Sequence, residues 1–91
     1  MSILTKDKLA GHLKTLKGWE LRKDEIVKTF DCKDFVHSMG FVQSVGLLAE
    51  KADHHPDIDI RWNKVTLTLA THSEGGITMK DITLAKEIES L

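Results

Sequence analysis

The stretch I-D-I-R-W-N-K-V-T-L-T-L-A, residues 58–70, decides the fold. Ile58, Ile60 and Trp62 alternate with Asp59 and Arg61, and Val65, Leu67 and Leu69 alternate with Thr66, Thr68 and Ala70. A period of two sends each set to its own side of a pleated strand, so both halves read as strands with one apolar side and one wetter side. Asn63 and Lys64 are expected to turn the chain between them. A hairpin with a single apolar side needs a layer of helices to cover it.

Working outward from the hairpin, Pro56 disfavours helical geometry at His55, so a preceding helix should end near Asp53 or His54. Phe35, Met39, Val42, Val45 and Ala49 recur at helical intervals and predict the long helix of the chain, with Asp31 as its cap and Asp34 in its first turn. Gly40 and Gly46 each cost about 1 kcal/mol relative to Ala in a helix. They either allow close approach of another element or are simply tolerated. Residues 19–21 and 25–30 flank the polar Arg22, Lys23 and Asp24 as a first hairpin. Leu9, Leu13 and Leu16 mark one face of an opening helix that should stop at Gly18.

Beyond the second hairpin, Gly75 and Gly76 break the pattern, and Thr78 with Asp81 makes a capping-box start for a helix carrying Ile82, Ala85 and Ile88. The predicted order is α-β-β-α-β-β-α. This is an α+β fold in which a four-stranded antiparallel sheet carries its helices on one face, with residues 1–91 as a single domain.

Composition agrees with a packed globule: 91 residues, 41% hydrophobic, 30% charged, one proline and six glycines. A chain this small buries a modest share of its surface, which makes a homo-oligomer plausible. Thirteen Lys and Arg against fourteen Asp and Glu leave a net charge of -1, so no global field favours nucleic acid or an anionic membrane. A single cysteine, Cys32, forms no internal disulfide, and no leader-like or bilayer-length apolar run is visible. A reducing cytoplasm is the expected location.

Three of the five histidines fall in informative places. His54 and His55 stand where the long helix meets the second hairpin, and His72 stands at the end of that hairpin's outgoing strand. The start of one strand and the end of its antiparallel partner are neighbours, so the three can share a pocket. Glu50, four residues before His54, is either its charge partner or an ordinary solvated helix residue. Imidazoles exchange protons near neutrality, which suits acid–base chemistry. An ordinary polar junction at a helix end accounts for the same residues. A closed zinc site would want four ligands, and neither paired cysteines nor a His-Glu-x-x-His spacing is present, so no metal is expected. His12, His37 and Cys32 have no motif around them.

The run Glu50-Lys51-Ala52-Asp53-His54-His55-Pro56-Asp57, followed by Asn63-Lys64-Val65 and Thr71-His72, closely resembles the pterin-4a-carbinolamine dehydratases. The resemblance extends over nearly the whole chain, including Gly18-Trp19-Glu20 and Lys33-Asp34-Phe35. It implies an enzyme that removes water from a 4a-hydroxytetrahydropterin without metal or organic cofactor, recycling an oxidised hydroxylase cofactor. It assigns His54, His55 and His72 to catalysis and Pro56, Thr71, Ser73 and Glu74 to loop positions around the substrate. Asp81 matches an acidic position near the family's site, from which it either orients a histidine or simply caps its helix, with Glu50 as a further support. The resemblance also implies a homodimer or homotetramer. One departure is Ile58, where many relatives carry an aromatic residue. The alternative function is a non-catalytic dimerisation or transcriptional coactivator module on the same scaffold, a role that relatives in animals also have.

Overall fold

The computed structural model describes residues 2–91. Its elements are helix α1 (Lys6–Leu13), strands β1 (Glu20–Arg22) and β2 (Glu25–Asp31), helix α2 (Phe35–Ala52), strands β3 (Asp57–Arg61) and β4 (Lys64–Leu69), a short 3-10 turn (His72–Glu74) and helix α3 (Met79–Glu89). The strands form one antiparallel sheet in the order β1-β2-β4-β3. This is the expected α-β-β-α-β-β-α arrangement with the helices on one face.

Register explains the layering. Ile60 pairs with Val65, Ile58 with Leu67, and Phe30 and Ile26 with Val65 and Leu69 on the other side of β4. Val65, Leu67 and Leu69 are fully buried and meet Ile82, Leu84, Ala85 and Ile88 of α3 and Val45 and Ala49 of α2 in one hydrophobic cluster. Each such leucine or isoleucine contributes about 1.5–3 kcal/mol by leaving water. The outer face is polar: the Thr29 and Thr66 hydroxyls lie 2.8 Å apart, and Lys64 Nζ lies 2.7 Å from Asp31 Oδ2.

Several local expectations are corrected. The second turn is Trp62-Asn63, not Asn63-Lys64, because Lys64 pairs with Arg61. This register keeps isoleucine opposite valine and leucine on the packed face, and Trp62 accepts a φ of 54° to allow it. The first turn is likewise Lys23-Asp24, with Arg22 paired to Glu25. Helix α1 ends at Leu13, and 3-10 hydrogen bonds carry the chain on to Leu16, which is still buried. Gly18 then has φ +87, and an added Cβ would stand 2.9 Å from Lys28 Cε. Lys28 must pass there to reach Glu89 at 2.6 Å and the Lys17 carbonyl at 2.9 Å, tying the end of α3 to the sheet.

On α2, Phe35 and Met39 point outward, 52% and 45% exposed, and the buried stripe runs from Ser38 through Val45 to Ala49. Ser38 is tolerated inside because its hydroxyl donates to the Asp34 carbonyl at 2.9 Å. Gly40 and Gly46 face open space, so neither serves close packing within the chain. The helix is capped by Asp34 rather than Asp31: Asp34 Oδ1 accepts the His37 amide at 2.8 Å, whereas Asp31 remains in β2, bound to Lys64.

The His37 amide, and then its ring, hold the Asp34 carboxyl below the ordinary carboxylate range. Lys64 does the same for Asp31. A carboxyl lowered in the folded state adds stability above its unfolded pKa, and that contribution disappears as pH falls through the folded value. Asn caps a helix about as well as Asp. The urea midpoint of Asp34→Asn should therefore match wild type at neutral pH and fall less steeply than wild type on acidification below about pH 4. Parallel acid dependence in the two proteins would contradict the cap assignment.

Candidate functional site

Helix α2 stops where Asp53 takes the left-handed conformation (φ 51°, ψ 43°), which aspartate tolerates better than most side chains. The His54 amide then donates back to the Ala49 carbonyl at 3.1 Å. This reversal carries His54 off the helix and toward the start of α3, while Pro56 leads the chain into β3. Across the sheet, β4 ends at Leu69, and a loop closed by the Thr71 amide on the Gly76 carbonyl (2.8 Å) presents His72. Gly75, at φ +78, makes that loop possible.

The result is a cleft of about 290 Å³ whose walls include His54, His55 and His72 together, with Thr71 and Ser73. Asp53, Ala70 and Lys80 complete it. Of the residues expected around a substrate, Pro56 and Glu74 do not line this cleft, and Ile58 lies away from it on β3. A second cleft of about 260 Å³ shares Ala70 and His72 and continues toward Lys23, Asp24 and Glu25 at the first hairpin turn.

The three imidazoles have different surroundings. His54 has a side chain only 11% exposed, and its Nε2 lies 2.5 Å from Asp81 Oδ1. His55 is largely exposed, with Nε2 2.7 Å from Glu50 Oε1. Glu50 is thus the partner of His55 and not of His54: the left-handed Asp53 ends the helix, so the four-residue spacing no longer brings Glu50 and His54 together. Among the described residues no side chain is hydrogen-bonded to the His72 ring, which is exposed at the cleft wall.

Asp81 is wholly buried and accepts three hydrogen bonds. Besides His54 it takes the Thr71 hydroxyl at 2.8 Å and the Thr78 amide at 2.9 Å, the latter forming one arm of the capping box of α3. A buried carboxylate is tolerated only when its oxygens are satisfied, and here two donors, His54 and Thr71, come from the cleft wall and the third is the Thr78 amide at the start of α3. Chemically, the cleft presents one fixed imidazole, one tethered at the surface and one unpaired, which is a set able to give and take protons around a single bound molecule.

Lys80 and Asp53 were not singled out in the sequence. Lys80 follows from the capping box, since the residue before Asp81 in the first turn of α3 must flank the His54 contact. Asp53 follows from its place immediately before the histidine pair.

Because Asp81→Ala would leave three donors buried without an acceptor, it should destabilise the fold by about 3 kcal/mol or more, read from urea unfolding at neutral pH. A loss under about 1 kcal/mol would show that the carboxylate is not a structural acceptor.

Comparison with known proteins places the chain in a family. The family model described as pterin 4 alpha carbinolamine dehydratase matches residues 2–91. A Roseiflexus sp. (strain RS-1) protein named "Putative pterin-4-alpha-carbinolamine dehydratase" is 48% identical over 88 residues, covering 97% of this chain and 95% of its own. A Nocardia farcinica protein of the same name is 45% identical over 89 residues, covering 98% of this chain and 94% of its own. The crystal structure titled transcriptional coactivator/pterin dehydratase from Brucella melitensis superposes with a TM-score of 0.94 at 38% identity, covering 98% of this chain and 97% of that one. A pterin dehydratase-like protein described as a RuBisCO assembly factor in the alpha-carboxysome shares the fold at TM-score 0.64 and 18% identity, over 79% of this chain and 83% of its own. With a family match that runs from residue 2 to residue 91 and relatives aligned almost end to end, the chain belongs to the pterin 4 alpha carbinolamine dehydratase family.

Proposed function

We propose that this protein dehydrates 4a-hydroxytetrahydrobiopterin, the 4a-carbinolamine, to quinonoid dihydropterin and water, and so recycles a tetrahydropterin cofactor. The observation that carries this reading is the convergence of His54, His55 and His72 on one cleft in a member of this family. At about 290 Å³ the cleft is at the small end of ligand pockets, about 300–1,000 Å³, and suits a bicyclic heterocycle.

The reaction breaks the bond from C4a to oxygen. The hydroxyl leaves with the bonding electrons and takes a proton to become water, while a ring nitrogen gives up its proton and supplies the electrons of the new double bond. One acid and one base suffice, and imidazole serves as either. His54 and His72 form the proton-transfer pair in this scheme. His55 binds and orients the pterin. Asp81 supports His54, and Glu50 supports His55. Ser73 bounds the substrate in the cleft, Thr71 lies in its wall, and Pro56 and Glu74 stand on the adjoining loops. No metal or organic cofactor is required.

His54→Ala and His72→Ala should each lower the catalysed rate by about 100 to 10,000-fold while keeping native circular dichroism. The assay is dehydration of freshly generated 4a-hydroxytetrahydropterin measured against the spontaneous rate. Near-normal turnover in both variants would reject the assignment.

A second reading is an association module, favoured by the coactivator wording attached to the Brucella structure. A protein acting by association alone would leave the dehydration rate at its spontaneous value. Both readings involve a homodimer or homotetramer. Strands β1 and β3 are open sheet edges, and Phe35, Val36, Met39 and Leu47 leave an apolar band exposed on α2. Light scattering should therefore give a mass of two or four chains, and a monomer at working concentration would contradict it. A cytoplasmic location fits the free thiol of Cys32. No helix among the described residues is long and apolar enough to cross a membrane. Direct nucleic-acid binding is not part of the proposal, since the net charge is -1.

A further inference from the structure

Behind the cleft, two buried hydroxyls lead to the His54 ring. Thr78 Oγ1 lies 2.8 Å from Thr71 Oγ1, and Thr71 Oγ1 lies 2.8 Å from Asp81 Oδ2. Thr71 is 4% exposed and Thr78 and Asp81 not at all, so the line of bonds is buried, with Thr71 alone reaching the cleft wall.

The donor directions follow from counting hydrogens. Asp81 Oδ2 accepts the Thr78 amide at 2.9 Å, and as a carboxylate oxygen it also accepts the Thr71 hydroxyl. Thr71 has then spent its one hydrogen and accepts from Thr78. Thr78 Oγ1 in turn accepts the Lys80 amide at 3.2 Å, which completes the set. At the other end Asp81 Oδ1, an acceptor, faces His54 Nε2, so that nitrogen carries a hydrogen. Every partner in this line of bonds is accounted for, and among the described residues one ring nitrogen of His54, Nδ1, has no hydrogen-bond partner.

We propose that Thr71 and Thr78 are positioning residues for the acid–base chemistry. Through Asp81 they hold His54 in the tautomer protonated at Nε2 and reserve Nδ1 for proton exchange with the substrate. Two donors on Oδ2 fix the plane of the carboxylate, and the plane of the carboxylate fixes the ring. Whichever way the proton moves at His54, it moves through Nδ1. Without the Thr71 hydroxyl, Oδ2 keeps only the Thr78 amide, and the carboxylate is free to turn and to offer either oxygen. The kinetic consequence rests on the dehydratase reading; the tautomer does not.

Thr71→Val is the cleanest probe, because it keeps the branched shape, removes only the hydroxyl and leaves the Thr78 cap in place. The ring nitrogens of His54 are read by long-range proton–nitrogen NMR on ligand-free protein, with the His54→Ala spectrum identifying the signal, and dehydration kinetics are measured in parallel. Wild type should show His54 overwhelmingly as the Nε2–H tautomer. Thr71→Val should show mixed tautomers and a kcat lowered about tenfold with KM within about twofold, and Thr71→Ser should restore both. A wild-type His54 protonated mainly at Nδ1 overturns the proposal, and this result stands even if Thr71→Val does not fold. Unchanged tautomer and kcat in Thr71→Val also overturn it, as does a defect confined to KM, which would make Thr71 a direct substrate contact. If wild type fails to accelerate dehydration, the functional reading falls, and the tautomer comparison between wild type and Thr71→Val still decides the positioning role.

Discussion

A single carboxylate joins the elements that build the cleft. Asp81 caps α3 through the Thr78 amide, holds the segment after β4 through Thr71, and holds the segment after α2 through His54. Burying a charged group is costly unless its hydrogen bonds are made, and these donors come from three separate parts of the chain. The carboxylate is satisfied only when α2, β4 and α3 are all in place. The hydrophobic cluster beneath brings those elements together, and Asp81 then fixes where they end relative to one another. Fold and site are coupled through that one group.

The three histidines differ because their supports differ. His54 is nearly enclosed and bonded to a buried acceptor, so its ring has one orientation. His55 is bonded to Glu50 in water, where such a pair contributes little rigidity. His72 rides on a short loop with no side chain hydrogen-bonded to its ring among the described residues. A fixed ring, a tethered ring and an exposed ring stand around one cleft.

Much of the fold was legible because the signals were local. Alternation in residues 58–70 and the Thr78–Asp81 spacing each depend on a few neighbouring side chains, and both were found as expected. The failures came where two local choices were nearly equal and a distant partner chose between them. Asp31 and Asp34 are both good caps, and Lys64, more than thirty positions away, holds Asp31 in the sheet. Both sides of the first half of α2 are apolar, so periodicity could not tell the buried side from the exposed one. Glu50 had the right spacing for His54, and only the left-handed Asp53 redirects it to His55. The convergence of the histidines was readable from hairpin geometry, whereas the threonine pair behind them was not, since it exists only once β4 and α3 have packed.

The most direct measurement is a crystal structure of this protein with a stable dihydropterin bound. The bicyclic ring should lie in the cleft among His54, His55 and His72, with His54 still on Asp81 and its Nδ1 turned to the ligand. A dihydropterin seated elsewhere on the surface, or a cleft in which the His72 ring swings clear of the other two, would contradict the proposed chemistry.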